Sequence, residues 1–264
     1  MTSSGPHISI VLPGIRKDRW LQVYESILAS TSRSFELVIG SPYSLPADLE
    51  GLDNVKHVKD WGSPVRASCI ASTFCEGSLI TWTADDAVFL PGALDKNIDF
   101  FEECYVDART IVVSKYFEGE GASAKPLQHD DYFKICGSPC TNVSSANIDW
   151  WLFNVAIMER SYFEKLGGWD CKYEGTFMSH TDLAMRAQAD GAQAIMSRVP
   201  LLDCGHMPGR SGDHAPIHDA QTLHDEPLFR KTYESSDSIS SIIDRDNWRQ
   251  SPAIWTRRFG RVEI

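Results

Sequence analysis

The sequence predicts an α/β fold in which a mixed, mainly parallel sheet is flanked by helices. Short apolar runs rich in β-branched residues alternate with stretches whose apolar residues recur at helical spacing. This alternation is typical of parallel strands joined by right-handed crossovers. The 264 residues are 42% hydrophobic and 23% charged, which is ordinary for a soluble globular protein with a full core.

The first half of the chain contains four predicted strands. They cover residues 8–12, 35–40, 55–58 and 79–82, and the first closes at Pro13 and Gly14. A helix is predicted after the first strand, because apolar residues recur at helical spacing from Trp20 to Leu28. A second helix is predicted over 65–74 for the same reason. This order favours a nucleotide-binding class of domain.

The second half begins with a predicted helix that ends at Cys104 and a strand over 110–114. From 118 to 145 the sequence has few apolar anchors, so we expect a mobile loop. An apolar run over 150–158, a helix over 161–166 and a strand over 194–199 follow. Between the last two, Ser179 and Asp182 predict a capping box that starts a helix ending near Gly191.

We expect residues 1–205 to form one domain and residues 206–264 to form a C-terminal extension or lid packed on it. Near its end the extension interleaves arginines with aromatic residues: Arg245, Trp248, Arg249, Trp255, Arg257, Arg258, Phe259 and Arg261. Such a cluster could close over phosphates as a lid, or could bind a polyanion such as nucleic acid. A plain amphipathic docking helix is the simplest interpretation.

Charge and cysteine content exclude several classes. A net charge of −11 opposes nonspecific binding to nucleic acid or an anionic membrane, so either partner would need a local basic patch. The seven cysteines include no Cys-x-x-Cys pair, which favours reduced structural thiols. The start of the chain lacks the features of a signal peptide, and no 18 apolar residues run together. We therefore expect a cytosolic protein without a transmembrane segment.

An acid pair, Asp85 and Asp86, directly follows the fourth predicted strand and precedes a Pro-Gly turn. Ligands bind at the carboxyl ends of strands in open α/β sheets, and carboxylates there can hold a hard cation. Mn²⁺ or Mg²⁺ would be the expected ion, shared with substrate phosphates. Two solvated loop acids are the simpler alternative, because acids are common in turns.

Four segments in this order resemble glycosyltransferases of the GT-A fold, family 2 type, over roughly residues 8–200. They are the strand at 8–12, the acid pair followed by Leu90-Pro91-Gly92, the run Phe163-Glu164-Lys165-Leu166-Gly167-Gly168-Trp169-Asp170, and Thr181-Asp182-Leu183-Ala184-Met185-Arg186. The resemblance implies a GT-A (Rossmann-like) domain. It further implies an inverting transfer of a sugar from a nucleotide-sugar donor to an acceptor hydroxyl, assisted by Mn²⁺ or Mg²⁺.

The resemblance also implies a metal site. In the family the acidic motif usually reads Asp-x-Asp, whereas here Thr83 replaces the first acid and Asp85 keeps the second. Asp85 is therefore the expected metal ligand, with Asp86 as a further ligand. Family members often add a histidine from the region after the last strand, which points to His206. His214, His218 and His224 compete with it.

Further donor-binding residues follow from the same resemblance. Pro13 ends the first strand, Thr83 belongs to the acidic motif, and Arg66 matches a position that faces the nucleotide in the family. Arginine can contact a diphosphate, although an exposed helix arginine is equally consistent. Gly168 and Trp169 form the turn near donor and acceptor. Trp169 could stack on a sugar, but core packing is favoured for a large aromatic side chain.

The catalytic base of the family lies in a Glu-Asp pair, where this chain has Ser179 and His180. His180 can accept a proton near neutral pH and is one candidate. Asp182 is the other, although capping and an i,i+4 pair with Arg186 would also explain it.

Two other functions stay open, and the acceptor is not identified. A nucleotidyltransferase would also place acids at a sheet edge, but it needs a phosphate loop, of which Pro13-Gly14-Ile15-Arg16-Lys17 is only a faint version. A degenerate nucleotide-sugar-binding module would lack the base. The acceptor could be a glycan, a lipid, a small molecule or, through the arginine-rich end of the chain, a nucleic acid.

Overall fold

The computed structural model of the protein describes residues 5–118, 125–126, 134–136, 149–204, 212–233 and 240–260. Most of the loop expected over 118–145 and the predicted metal ligand His206 lie outside these residues. The predicted boundary between domain and extension, at 205/206, lies there too.

Eleven strands are present in the described residues. They are β1 Ile8–Pro13, β2 Phe35–Ser41, β3 Val55–Lys59, β4 Leu79–Trp82, β5 Ala87–Phe89, β6 Thr110–Glu118, β7 Lys125–Pro126, β8 Lys134–Cys136, β9 Asp149–Trp151, β10 Ala156–Glu159 and β11 Gln193–Cys204. The main sheet has the order β3-β2-β1-β4-β10-β6-β11-β5, with β7 beside β6, and β8 and β9 form a separate pair.

The first four strands of this order run parallel, and β10 and β5 pair antiparallel with their neighbours. β11 pairs parallel with β6. The chain leaves β1 toward β2 and β3 and then returns to the other side of β1 as β4. The carboxyl ends of β1 and β4 therefore open a crevice of the kind in which α/β proteins bind ligands.

The α-helices cover both faces of the sheet. They are α1 Trp20–Ser30, α2 Pro64–Ser72, α3 Ala93–Cys104, α4 Arg160–Lys165, α5 Thr176–Ala189, α6 Ala215–Ala220, α7 Glu226–Tyr233 and α8 Thr256–Phe259. Successive strand residues point to opposite faces, so Val11 belongs to one core cluster while Ile10 and Leu12 belong to the other. The predicted fold class, a mixed and mainly parallel sheet between helices, is confirmed.

The predicted start of α5 is wrong. The helix begins three residues earlier, at Thr176 after the N-cap Gly175, and Ser179 lies inside it with its hydroxyl donating to the Thr176 carbonyl at 3.1 Å. The main-chain N–H of Gly175 donates instead to the carboxylate of Asp225 at 2.6 Å. Asp225, fifty positions further along the chain, thus positions the N-cap residue, and local sequence cannot indicate such a partner.

The short strand β5 also differs from the prediction, in which no strand follows the acid pair. β5 pairs antiparallel with the end of β11, which runs five residues beyond the predicted strand at 194–199. This long-range pairing holds Asp85 and Asp86 in a tight link between β4 and β5.

The described part of the C-terminal extension packs on the edge of the sheet where the strands end. The N–H of Trp255 donates to the Trp61 carbonyl at 2.8 Å, and Phe259 stacks edge-on against Trp61 with ring centroids 5.1 Å apart. Across the described residues, no helix combines the length and apolar character that crossing a membrane would require.

Candidate functional site

Two adjacent cavities lie at the carboxyl ends of the strands. The first has a volume of about 150 Å³ and the second of about 320 Å³. Pro13, Asp86 and His214 line both of them. Ala84, Thr176 and Ile217 also line both, so ligands that fill the two cavities would meet at this shared wall.

The first cavity is lined by residues that directly follow β1, β2, β3 and β4, and by the C-terminal extension. Its ionisable lining residues are Arg16, Asp60, Asp85, Asp86, Asp213, His214 and Arg258. The second cavity is less charged, and its lining includes Trp82, Thr83, Tyr116, Asn154 and His180. The predicted donor residues Pro13, Thr83 and Asp85 are thus all cavity residues.

Asp85 is buried and anchors the loop after β1. Its Oδ2 atom accepts hydrogen bonds from the main-chain N–H groups of Ile15 and Arg16, both at 2.6 Å. Its Oδ1 atom accepts from the Arg16 guanidinium. Both carboxylate oxygens are therefore engaged by the loop that closes over the end of β1.

Arg16 connects the acid pair to the C-terminal extension. Its Nη1 atom lies 3.6 Å from Asp86, its Nε atom donates to Asp213 at 2.6 Å, and its Nη2 atom lies 3.2 Å from the His214 ring. Burial alone would lower the pKa of Arg16, but Asp85 and the neighbouring carboxylates raise it above the ordinary value. The guanidinium stays charged and occupies the space between the acids.

The predicted metal site can be compared with this geometry. Among the described residues, no group of three His, Cys, Asp or Glu side chains could hold a metal ion. A divalent ion on Asp85 would have to compete with Arg16 for Oδ1 and with two main-chain N–H groups for Oδ2. The residues present therefore do not fit a metal at Asp85 while Arg16 keeps this position. Because His206 lies outside the described residues, the ligand set of Asp85, Asp86 and His206 stays a prediction.

Asp60, directly after β3, is a cavity residue that the sequence predictions do not include. Its carboxylate accepts from the Nε atom of Arg66 at 3.0 Å and from the Gly62 N–H at 2.9 Å. Burial raises the pKa of Asp60, and Arg66 partly offsets this. The sequence could have indicated Asp60, because this acid follows the third predicted strand just as Asp85 follows the fourth.

The phosphate contact predicted for Arg66 has no support in the described contacts. Arg66 is buried and does not line either cavity. Its guanidinium donates to the main-chain carbonyls of Trp248 and Ser251, the latter at 2.9 Å, and lies 5.3 Å from the centre of the Trp248 ring. The carbonyls of Trp248 and Ser251 already occupy the guanidinium. Arg66 therefore holds the C-terminal extension against α2.

His180 lines the second cavity but its ring is packed in an aromatic cluster. Its centroid lies 5.4 Å from the Trp82 ring and 6.1 Å from the Trp169 ring. Burial lowers the pKa of His180 to about 3. The imidazole is neutral at pH 7 and can accept a proton, but it would be a weak base.

The contacts described for Asp182 are all structural, and none of them supports its alternative role as catalytic base. Asp182 lines neither cavity. Its carboxylate accepts from Arg186 at 2.8 Å and from the Tyr233 hydroxyl at 2.6 Å, and all of these groups are buried. The i,i+4 pair with Arg186 therefore serves the core.

Gly168 and Trp169 make structural contacts in the described residues, and their predicted donor contacts stay a prediction. Gly168 has φ +67°, and its carbonyl accepts from Arg186 at 2.6 Å. Trp169 is 1% exposed and packs edge-on against Phe163 and Trp82. The core role favoured for this tryptophan fits these contacts, and neither residue lines either of the two cavities described above.

No protein-family model matches the sequence, and no curated protein matches it either. Solved structures do match the fold. The structure of S. aureus TarS 1-349 aligns with a TM-score of 0.56 at 13% identity, over 89% of this chain and 67% of that chain. A longer TarS structure aligns with a TM-score of 0.54 at 12% identity, over 86% of this chain and 44% of that one.

A third match is TarS 1-349 in complex with UDP, with a TM-score of 0.56 at 13% identity over the same shares of the two chains. This chain spans less than half of the longer TarS structure. TarS is a family 2-like glycosyltransferase of the GT-A type. At this identity the likeness concerns the fold, and the protein described here has a GT-A-type fold.

Proposed function

We propose that this protein is a glycosyltransferase that moves a sugar from a nucleotide-sugar donor to an acceptor hydroxyl. The fold supports this, because its structural neighbours include a glycosyltransferase captured with UDP. We further propose that the transfer inverts the anomeric centre, as the sequence resemblance implies, and that the transferred sugar is a hexose.

One observation carries the proposal, namely that the two cavities share a wall at the carboxyl ends of β1 and β4. Group transfer needs donor and acceptor to meet in a fixed orientation, and two cavities that share Asp86 and His214 satisfy this need. The first cavity contains two arginines suited to phosphates. We assign the nucleotide to it and the acceptor to the second, less charged cavity.

Within the first cavity, we propose that Asp60 receives an N–H of the nucleobase. Its carboxylate is positioned by Arg66 and Gly62 and borders the cavity. In the second cavity, His180 is the available proton acceptor that the sequence predicted, and a neutral imidazole there could receive the acceptor proton. The predicted divalent-metal dependence stays a prediction of this assignment.

Thermal unfolding tests the proposal, first with a panel of UDP, GDP, CDP, dTDP and ADP. The nucleotide sugars that carry the best-binding base are then measured in the same way. A ligand at a hundred times its Kd stabilises the native state by about 2.7 kcal/mol, which gives a measurable shift in Tm. Turnover is then followed as release of nucleoside diphosphate. Absence of any shift across the panel would remove the donor assignment.

A nucleotide-sugar-binding module without transfer is a second candidate, and one observation favours it. The pKa of His180, lowered to about 3 by burial, makes its imidazole a poor acceptor of the proton that transfer must remove. This candidate would be supported if calorimetry shows donor binding while no nucleoside diphosphate is released, either by transfer to an acceptor or by hydrolysis.

A further inference from the structure

Arg16 lies where the acid pair would otherwise hold a cation. Its guanidinium contacts Asp85, comes within 3.6 Å of Asp86 and donates to Asp213. Two neighbouring carboxylates next to a diphosphate would repel it unless a cation intervened. In this protein the chain itself supplies that cation.

Asp85 is not easily released from this arrangement. Its Oδ2 atom receives the main-chain N–H groups of two consecutive residues, so moving the carboxylate toward an ion would leave two donors of the β1 loop without their acceptor. The side chain is 3% exposed, so a carboxylate that left these partners would be buried without a compensating charge, which costs free energy. Asp85 therefore acts as the anchor of Arg16 and its loop.

A second guanidinium lines the same cavity. Arg258, from α8 of the C-terminal extension, donates to the main-chain carbonyl of Asp213 and lies 5.8 Å from the centre of the Trp255 ring. Burial lowers the pKa of Arg258, and the nearby Arg16 adds to the effect, while Asp213 and Asp85 oppose it. A partly desolvated cation beside a cavity gains from an anionic ligand.

We propose that the guanidinium groups of Arg16 and Arg258 hold the diphosphate of the donor, so that nucleotide binding needs no divalent ion. The inference rests on the proposed function. Arg16 offsets part of the negative charge of the acid pair and lines the cavity, and Arg258 brings a second positive charge to the same cavity from α8. The extension thereby contributes directly to the donor site.

The test is isothermal titration calorimetry of the full chain with UDP, GDP, CDP, dTDP and ADP, each in excess EDTA and again with excess Mn²⁺. The variants are Arg16→Lys, Arg16→Gln and Arg258→Gln. Arg257→Gln is the matched control, because Arg257 adjoins Arg258 on α8 but pairs with Glu174 at 2.5 Å and lines neither cavity. Near-ultraviolet circular dichroism establishes that each variant is folded.

We expect the best-binding nucleotide to bind in EDTA with a Kd within about threefold of that in Mn²⁺. Arg258→Gln should weaken binding by about tenfold or more, since a charge-assisted contact to phosphate is lost. Arg16→Gln should weaken it at least as much and Arg16→Lys less, while Arg257→Gln should bind like the wild type. If Arg16→Gln does not fold, the Arg258→Gln and EDTA measurements still decide.

Binding that needs Mn²⁺, or that Arg258→Gln leaves unchanged, overturns the inference and leaves the proposed function standing. Equal weakening by Arg257→Gln also overturns it, because the effect would then be one of general surface charge. If no nucleotide binds with or without Mn²⁺, the donor assignment fails together with the inference.

Discussion

The imidazole of His180 packs against the indole of Trp82, with the ring centroids 5.4 Å apart at the wall of the second cavity. The centroid of the Trp169 ring lies 6.1 Å from that of the same imidazole. This enclosure disfavours the charged imidazolium and lowers the pKa of His180 to about 3. The contact therefore links the packing of the core to the protonation state of the residue expected to act as base.

The first prediction is that His180 makes the stability of the protein depend on pH in the acid range. Between its ordinary pKa of about 6.5 and the folded value of about 3, the unfolded state binds a proton that the folded state does not. The free energy of unfolding should therefore fall as the pH is lowered through this window, by at most about 1.4 kcal/mol per pH unit from this group.

Denaturant unfolding at a series of pH values, for the wild type and for His180→Phe, measures this contribution. Phenylalanine keeps an aromatic ring but does not titrate. We expect the difference in unfolding free energy between the two proteins to change between pH 6.5 and pH 3 in the direction that relatively favours the variant at low pH. Parallel pH profiles for the two proteins would contradict the packing interpretation.

The second prediction concerns Asp182 as a structural residue. Asp182→Ala should lower the free energy of unfolding by about 3–5 kcal/mol, because the buried Arg186 would lose its counter-charge. Asp246→Asn is the control, since the exposed pair of Asp246 with Arg249 should contribute less than about 1 kcal/mol. A fully stable Asp182→Ala protein that binds nucleotide but does not turn over would instead restore the catalytic role.

The third prediction concerns Gly40, which lies in β2 and lines the first cavity. A Cβ atom at this position would lie 2.5 Å from the main-chain carbonyl oxygen of Ala67 in α2. Gly40→Ala should therefore push α2 away from the sheet, with a cost of about 1–3 kcal/mol and weaker nucleotide binding. Gly5→Ala is the control, because its Cβ would meet its nearest neighbour at an ordinary 3.7 Å. Equal stability of the two variants would contradict this account.

The fourth prediction concerns the docking of the C-terminal extension by Arg66. A lysine cannot reproduce the fork that reaches Asp60 and two main-chain carbonyls at once. In Arg66→Lys, we expect faster proteolysis and faster hydrogen exchange over residues 240–260, while exchange in β1 and β2 stays unchanged. Uniform acceleration across the sheet would indicate general destabilisation, and no change would show that Arg66 does not hold the extension.

Local patterns were sufficient for the framework of the fold. The β-branched runs at 8–12, 35–40, 55–58 and 79–82 became β1, β2, β3 and β4 within about one residue at their ends, because short continuous apolar runs are typical of strands covered on both faces. The acid pair was recognised for a similar reason, since its place in the sequence after a predicted strand is a local feature. The start of α5 was misplaced because the carboxylate of Asp225, distant in sequence, holds the N–H groups of Glu174 and Gly175 just before the helix.

The candidate site depended on contacts that no local pattern contains. Asp85 and Arg16 are 69 residues apart, and Arg66 meets Trp248 across 182 residues. Only the folded sheet brings these groups together, so the tertiary structure decided that Asp85 anchors an arginine, that Arg66 holds the extension, and that Asp182 belongs to the core. Residue types and their periodicity set the architecture through burial, whereas charge pairing between distant segments set the chemistry of the crevice.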